Sequence, residues 1–239
     1  LGDVYKRQGE MTTKYIRWTP EDGFNPDELS EAVRVIREGG LVAFPTETVY
    51  GLGGNGLRPE VSKKIYAAKG RPSDNPLILH IAERKQLDRI ARGVSEKSER
   101  LADSFWPGPL TMIFEKASCV PYETTGGLDT IAVRMPDHTG ALEFLKQAGV
   151  PVAAPSANTS GRPSPTKAAH VREDLHGIID MVIDGGDVGI GYESTILDMT
   201  ETIPVILRPG AVTKKMLSDV IGEVVMDPAL MSVGRDRPR

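Results

Sequence analysis

One segment of the chain concentrates the side chains best suited to hold an anion. Residues 69–80 read KGRPSDNPLILH, so Lys69 and Arg71 stand at the predicted end of a helix, before a turn that two prolines stiffen. A guanidinium on a rigid loop can bind a phosphate or a carboxylate through two parallel hydrogen bonds. Asn75 offers a donor and an acceptor to a base or a ribose. The segment therefore predicts an anionic-substrate site, although cations at a helix C-terminus also complement the helix dipole.

Charged and titratable residues inside predicted strands raise a second question. His80 lies in the apolar segment LILHI, and a single strand histidine is more often a core residue than a ligand. Arg134 interrupts the apolar strand IAVRM, where a buried cation needs an internal carboxylate, such as Glu47 or Glu193, or an anionic ligand. Arg208, in ILRPG, raises the same choice. Both interpretations stay open on sequence grounds.

Polar, glycine-rich loops recur directly after predicted strands. Such loops follow Phe44 (PTETVYGLGGNG), Ala154 (PSANTSGRPSPT) and Asp184 (GGDVGIGYEST). In open α/β sheets, ligands gather on the loops at strand ends. Turn chemistry alone explains any one loop of this composition. Three such loops beside KGRPSDNP favour a ligand site.

The chain lacks the motifs of several common mechanisms. It has no GxxxxGK[ST] phosphate loop, no HExxH or CxxC metal motif and no GxSxG nucleophile elbow. The stretch GLGGNG fails the test for a dinucleotide fingerprint, because it is predicted to follow a loop and to precede no clear helix start. Cys119 is the only cysteine, which excludes an internal disulfide. Catalysis is therefore expected to rest on positioning and charge neutralisation, as in nucleotidyl transfer.

Charge and hydropathy limit the partners that the protein can have. The net charge of −4 provides no overall attraction to nucleic acid or to a membrane surface. No apolar run approaches the ~20 residues that a membrane span requires. A single cysteine fits a reducing compartment. A cytoplasmic protein without a membrane partner is expected, and any RNA contact would need a local basic patch.

Hydrophobic periodicity predicts the elements that position these residues. Asn25 is expected to cap the first helix, Thr166 a later one and Thr213 the last. Helices are predicted over residues 26–38, 59–69, 83–104, 138–147 and up to residue 175 from the Thr166 cap. Strands are predicted over residues 41–44, 77–81, 111–114, 131–135, 151–154, 178–184, 194–199 and 205–208. Because some strands follow one another directly, the pattern predicts an α/β fold with a mixed, twisted sheet and helices packed on it.

Seven motifs follow one another in a characteristic order between about Asn25 and Gly222. They are PTETVYGLG (45–53), KGRPSDNPLILH (69–80), WPGPLT (106–111), IAVRMP (131–136), PSANTSGRPSPT (155–166), YESTILD (192–198) and ILRPG (206–210). The series resembles that of the YrdC-type threonylcarbamoyl-AMP synthases. This resemblance implies a twisted, mostly parallel open sheet with flanking helices around a concave, positively lined cavity.

The resemblance also implies an activity. Family members combine L-threonine, bicarbonate or CO2, and ATP, usually with Mg²⁺, into threonylcarbamoyl-AMP and release pyrophosphate. Downstream threonylcarbamoyl-transferase proteins then modify the adenosine beside the anticodon of certain tRNAs. The implied ATP contacts, of which Lys69 and Arg71 would act in catalysis, are Lys69, Arg71, Asn75, Thr130, Ser156, Ser164 and Arg208. The implied threonine contacts are Thr48, His80, Arg134, Ala154 and Ser194. Metal ligands are not identified.

The expected domain organisation is one catalytic domain between two short ends. Residues 1–10 are expected to be a non-native or disordered leader, residues 11–226 the domain, and residues 227–239 a tail or the start of an interdomain linker, as in long two-domain members of the family. Two alternatives stay open: a carbamoyl-transfer domain of the hydrogenase-maturation type, and a module that binds double-stranded RNA or tRNA. The RNA-binding surface would use Lys63, Lys64, Lys69, Arg71, Arg162, Lys167 and Arg172.

Overall fold

The computed structural model describes residues 11–189 and 192–232. Its helices are α1 (Pro26–Arg37), α2 (Pro59–Lys69), α3 (Arg84–Ile90), α4 (Glu96–Phe105), α5 (Tyr122–Thr125), α6 (Thr139–Ala148), α7 (Ala168–Leu175), α8 (Lys214–Ile221) and α9 (Pro228–Ser232). Its strands are β1 (Lys14–Thr19), β2 (Gly23–Phe24), β3 (Val42–Pro45), β4 (Tyr50–Asn55), β5 (Ile78–His80), β6 (Ala91–Arg92), β7 (Leu110–Lys116), β8 (Thr130–Arg134), β9 (Val152–Ala153), β10 (Met181–Asp184), β11 (Thr195–Asp198), β12 (Val205–Arg208) and β13 (Val225–Met226). The predicted leader and residues 233–239 of the predicted tail lie outside the described residues.

The strands form one large, twisted, open sheet in the order β13-β12-β11-β7-β8-β5-β9-β4-β3-β10-β1-β2, with β6 paired to β7. Neighbouring strands run in both directions: β5 and β8 are parallel, as are β7 and β11, whereas β3 and β4 are antiparallel. The predicted mixed α/β sheet is confirmed. The short β9 lies between β4 and β5, so the middle of the sheet is built from distant parts of the chain.

The sheet separates two hydrophobic clusters, because successive side chains of a strand point to opposite faces. On β3, Val42 and Phe44 belong to one cluster and Ala43 to the other. Helices α1 and α6 pack on the first face, and α2, α4 and α8 on the second. In the described part of the chain, none of the helices is both long and apolar enough to cross a bilayer.

Local signals explain where several helices begin. The side chain of Asn25 accepts hydrogen bonds from the backbone amides of Asp27 and Glu28, and Thr213 caps α8 in the same way, both as predicted. The predicted cap at Thr166 is wrong: α7 begins at Ala168, with Lys167 at the N-cap position and no side-chain cap. The carbonyl of Thr166 instead accepts a 2.9 Å hydrogen bond from the amide of Val188, in the bend that precedes α7.

The glycine-rich stretch after β3 corrects a second prediction. Most of GLGGNG is not a loop but belongs to β4, which pairs with β3 and β9. Its glycines are required by close packing: a Cβ atom on Gly53 would lie 2.8 Å from the Phe44 ring, and one on Gly54 would lie 2.5 Å from Val61. The glycines therefore serve the core of the sheet and do not form a phosphate-binding turn.

Candidate active site

A cleft lies along the parallel strands β5 and β8 and beside the residue that follows β9. His80 and Arg134 lie opposite each other at the carboxyl ends of the parallel strands β5 and β8. Ala154, which follows β9, donates its amide hydrogen to the carbonyl of Ile78 at 3.0 Å. These residues line a cavity of about 370 Å³. Other predicted site residues in its lining are Thr48, Arg71, Asn75, Ser156, Ser194 and Arg208.

Arg134 is paired inside the protein. Its Nη1 lies 2.5 Å from Oε1 of Glu47, and its Nη2 donates to the hydroxyl of Thr48 at 3.2 Å. The second carboxylate oxygen of Glu47 accepts from the amide of Asp137 at 2.7 Å, which fixes the carboxylate in place. Of the two interpretations that the sequence left open, the internal carboxylate is confirmed, and it is Glu47. A carboxylate of a bound substrate would be a further partner.

Arg208 has an analogous arrangement on the other wall of the cleft. Its Nη1 lies 2.9 Å from a carboxylate oxygen of Glu193, its Nε donates to the carbonyl of Ser194 at 2.9 Å, and its Nη2 donates to the Ser194 hydroxyl at 3.3 Å. Burial lowers the pKa of Arg208, and the Glu193 carboxylate opposes that effect. The guanidinium therefore holds the segment just before β11 against the end of β12.

His80 is an uncharged residue of the cleft wall. It is buried, its Nδ1 lies 3.1 Å from the carbonyl of Ile78, and its ring meets the Phe44 ring edge-on. Burial lowers the pKa of His80 to about 3, and the nearby Arg134 cation contributes to this shift. Because a carbonyl can only accept, Nδ1 carries the hydrogen of the neutral imidazole. His80 is thus both a core residue and a lining residue of the cleft.

Arg71 is oriented by its own loop. The loop begins at Gly70, whose φ of 61° ends helix α2 in the left-handed conformation. With its amide oxygen turned toward the guanidinium, Asn75 accepts from Nη2 of Arg71 at 2.9 Å and from Nε at 3.0 Å. The Tyr66 hydroxyl donates to the carbonyl of Asn75 and holds the loop to α2. Arg71 therefore reaches the cleft with two of its donors already occupied.

Lys69 is directed into the protein and not into the cleft. Its side chain is buried, and its ammonium donates to the carbonyls of Ser156 and Asn158 and to the Asn158 side chain. Burial lowers the pKa of Lys69 to about 8, with a further contribution from Arg71. An ammonium group has three hydrogens, so these acceptors occupy all of them. Lys69 fixes the segment after β9, and its predicted contact with a phosphate stays a prediction.

Two other predicted ATP contacts lie away from the cleft lining. Ser164 lines a neighbouring cavity of about 830 Å³, whose wall includes Thr48, Glu193 and Arg208 and therefore adjoins the cleft. Thr130 begins β8 opposite Glu115 of β7, and its neighbours two positions away, Leu128 and Ala132, line the cleft whereas Thr130 does not. The structure thus brings Ser164 near the site and leaves Thr130 at its margin.

Two anchoring residues were missed from the sequence. Tyr50 is fully buried, and its hydroxyl donates to the carbonyl of Gly186 at 2.6 Å and accepts from the amide of Gly185 at 3.1 Å. Burial raises the pKa of Tyr50. The loop that Tyr50 anchors continues to Gly189, where an added Cβ would lie 2.3 Å from the carbonyl oxygen of Thr48.

The second missed residue is Thr111, whose hydroxyl lies 2.6 Å from that of Ser194.

Most of the basic residues proposed for RNA binding contact other groups of the protein. Lys64 donates to the carbonyl of Gly39, Lys167 lies 3.6 Å from Asp187, and the Arg172 guanidinium stacks over the Tyr15 ring. Arg162 lies 3.5 Å from oxygens of two acidic residues, Glu173 and Asp174. Together with the burial of Lys69, these contacts engage several of the basic groups of the expected surface with other groups of the protein. RNA binding stays a prediction.

Comparison with known proteins identifies close relatives. The family model Sua5/YciO/YrdC, described as "Telomere recombination", matches residues 34–210. A threonylcarbamoyl-AMP synthase of Pyrococcus abyssi is 55% identical over 199 residues, which are 83% of this chain and 58% of the relative. One of Bacillus subtilis is 50% identical over 223 residues, which are 92% of this chain and 64% of the relative.

A solved structure has the same fold. The crystal structure of P. abyssi Sua5 complexed with L-threonine superposes with a TM-score of 0.88 and 51% identity, covering 92% of this chain and 64% of the other. The chain therefore spans less than two thirds of the length of these relatives.

Proposed function

Because this chain belongs to the Sua5/YciO/YrdC family, we propose that it makes threonylcarbamoyl-AMP from L-threonine, bicarbonate or CO2, and ATP, and releases pyrophosphate. The relatives from P. abyssi and B. subtilis carry the name of this synthase, and the P. abyssi protein is described in complex with L-threonine. One observation in this chain carries the proposal: His80 and Arg134 at parallel strand ends share a cleft with Arg71.

The end of the cleft at β5 and β8 suits a small hydroxylated amino acid. Arg134 can hold the substrate carboxylate, since Glu47 and Thr48 already fix the orientation of its guanidinium. His80, which is neutral, and Thr48 can form hydrogen bonds with the threonine hydroxyl. A site that hydrogen-bonds a hydroxyl discriminates strongly against valine, because the polar groups of the site would be left unpaired. Ala154 and Ser194 complete this side of the proposed site.

Other residues of the cleft and of the adjoining cavity suit the nucleotide. Arg71, positioned by Asn75, and Arg208 can neutralise phosphate charge, while Ser156 and Ser164 can donate to phosphate oxygens. An oxygen of the carboxylated threonine amine would attack the α-phosphorus in line, with pyrophosphate as the leaving group. Lys69 would support this chemistry by holding the carbonyl of Ser156.

Magnesium fits this scheme as an ion that is bound mainly by the substrate. Among residues 11–189 and 192–232, His, Cys, Asp and Glu side chains form no group of three that could hold a metal ion. Mg²⁺ commonly keeps several waters and binds through substrate phosphates with one or two carboxylates. When bound, it would supply additional neutralisation of the phosphate charge.

One assay tests the proposal. The purified chain with ATP, Mg²⁺ and bicarbonate should release pyrophosphate only when L-threonine is added. Arg134→Ala should then raise the KM for L-threonine more than that for ATP, and Arg71→Ala should do the reverse. Release that is independent of L-threonine, or no release, would refute the synthase.

The pyrophosphate assay and a tRNA-binding titration separate the alternatives. A carbamoyl-transfer domain of the hydrogenase-maturation type would not need L-threonine for turnover. An RNA-binding role, which is compatible with catalysis, would appear as affinity for tRNA that falls steeply with salt, whereas a flat response would exclude phosphate contacts. Transfer of the product to tRNA by partner proteins belongs to the proposed function and needs those proteins for its test.

A further inference from the structure

Two hydroxyl groups meet at the wall of the cleft. The hydroxyl of Thr111, on β7, lies 2.6 Å from that of Ser194, which directly precedes β11. Thr111 is completely buried, and Ser194 is 4% exposed and lines the cleft. A hydroxyl can donate one hydrogen bond and accept two, so the direction of this bond decides what Ser194 can offer to a ligand.

The contacts of the two residues determine that direction. Within the described residues, the only hydrogen-bond partner of the Thr111 hydroxyl is the oxygen of Ser194. If Ser194 donated to Thr111, the hydrogen of Thr111 would be buried without an acceptor, which is unfavourable. Thr111 is therefore the donor, and Ser194 accepts.

Arg208 occupies the second acceptor position of Ser194. A guanidinium can only donate, and its Nη2 lies 3.3 Å from the Ser194 hydroxyl oxygen. A second bond, from Nε of Arg208 to the carbonyl of Ser194 at 2.9 Å, fixes the backbone at the same position. With both acceptor positions occupied, Ser194 has only its hydrogen left for a group in the cleft.

We propose that Thr111 is a positioning residue that makes Ser194 a hydrogen-bond donor to an anionic oxygen of the substrate. This inference rests on the proposed function. It specifies that Ser194 presents a hydrogen-bond donor, and not an acceptor, to the substrate. The oxygen belongs either to the carboxylate of the amino acid or to a phosphate of the nucleotide. A substrate ammonium group, which can only donate, is excluded from this position and must bind elsewhere in the cleft.

The test replaces the buried hydroxyl with a methyl group. Thr111→Val keeps the shape of the side chain but removes its hydrogen bond, so Ser194 can rotate and donate to other groups. Binding of the ligand that Ser194 contacts should become weaker, by up to about tenfold, because the Ser194 hydroxyl is no longer held as a donor to that ligand. Calorimetric titration of the whole chain with L-threonine, and separately with a non-hydrolysable ATP analogue, shows which ligand is affected and thereby identifies the anion.

Three further variants separate positioning from simple destabilisation. Thr111→Ser keeps the hydroxyl and should bind within about twofold of the wild type. Thr124→Val removes another buried threonine hydroxyl, which bonds to the carbonyl of Gly56 away from the cleft, and should leave both affinities unchanged. Ser194→Ala should weaken the same ligand, and adding Thr111→Val to it should cause no additional loss, because both changes remove one hydrogen bond.

The outcomes distinguish this inference from the function on which it rests. Wild-type affinity in Thr111→Val, additive losses in the double variant, or an equal loss in Thr111→Ser would each overturn the role of Thr111. A wild-type chain that binds neither L-threonine nor the nucleotide would overturn the proposed function, and the inference with it. A selective loss with one ligand, restored by serine, supports both.

Discussion

Arg134 and Glu47 form an ion pair that joins the end of β8 to the loop after β3, with the arginine buried and the glutamate partly exposed. The arginine side chain is 4% exposed and the glutamate side chain 22%. The Glu47 carboxylate therefore balances a cation that the sheet would otherwise bury alone. At the same time the pair holds the Arg134 guanidinium at the cleft wall, where a substrate carboxylate would meet it.

Glu47→Gln should lower the free energy of unfolding by about 2 kcal/mol, less than the roughly 3–5 kcal/mol of a fully buried pair, because Glu47 is partly exposed. L-threonine should stabilise this variant more than the wild type, since its carboxylate would supply the missing charge. Urea denaturation with and without L-threonine measures both effects. Glu193→Gln, which removes the partner of the more exposed Arg208 pair, should cost about 1 kcal/mol or less. Equal losses in the two variants would contradict the assignment.

Lys69→Met should destabilise the fold as well as impair nucleotide binding. The change keeps the length of the side chain but leaves the carbonyl of the buried Asn158 without this donor, at a cost of about 1–3 kcal/mol, whereas the Ser156 carbonyl keeps a hydrogen bond from the amide of Asn158 at 3.0 Å. Chemical denaturation measures this cost. Lys63→Met, on the exposed face of the same helix, is the matched control and should be close to neutral. A fully stable Lys69→Met variant would favour a direct role at the phosphates.

The buried His80 should make the protein sensitive to acid. Its folded-state pKa of about 3 lies below the ordinary histidine value near 6.5. As the pH falls through this window, the unfolded chain takes up a proton that the folded chain does not. Stability should therefore decrease, with a contribution of up to about 1.4 kcal/mol per pH unit. In His80→Gln the slope of the unfolding free energy against pH should be shallower, whereas His170→Gln, at an exposed position, should keep the wild-type slope.

Gly189 and Gly186 provide a matched pair for testing the anchored loop. Both have a positive φ, 42° and 79°, so alanine is strained at either position. Only at Gly189 would the new Cβ meet the Thr48 carbonyl oxygen, whereas nothing lies within 4 Å at Gly186. Gly189→Ala should therefore weaken L-threonine binding about tenfold more than Gly186→Ala, as titration calorimetry can show. Equal affinities would mean that Thr48 does not depend on this contact.

Much of the fold follows from local signals. The cap at Asn25, the proline after it and the apolar spacing of α1 predict that helix nearly to the residue. The strands β3, β5, β8 and β12 agree with prediction to within one or two residues. The first strand was overlooked although Ile16 and Trp18 alternate with exposed residues. Strand β4 could not be recognised, because its glycines carry no hydrophobic pattern and their need arises only from the packing of Phe44 and Val61.

The site was harder to predict than the fold. The sequence motifs contain most of the residues that line the cleft, because polar side chains at the ends of predicted strands can be recognised in a sequence. The partner of Arg134 could not be chosen, since Glu47 is 87 positions away and Glu193 was equally plausible. The burial of Lys69 and the hydroxyl pair of Thr111 and Ser194 depend on the arrangement of strands in the sheet. These are properties of tertiary structure, and no local pattern encodes them.

The contacts of Lys69 also make the cleft depend on parts of the chain that are synthesised much later than Lys69 itself. Its ammonium bonds to atoms 87 and 89 positions further along the chain. Closing so long a loop costs entropy that the rest of the fold offsets, so these contacts require the segment of Ser156 and Asn158 to be packed in place. During synthesis the Arg71 loop will lack this support until Asn158 has emerged and packed. Because its binding surface is a product of complete folding, a ligand of the cleft will bind only folded molecules and raise their population.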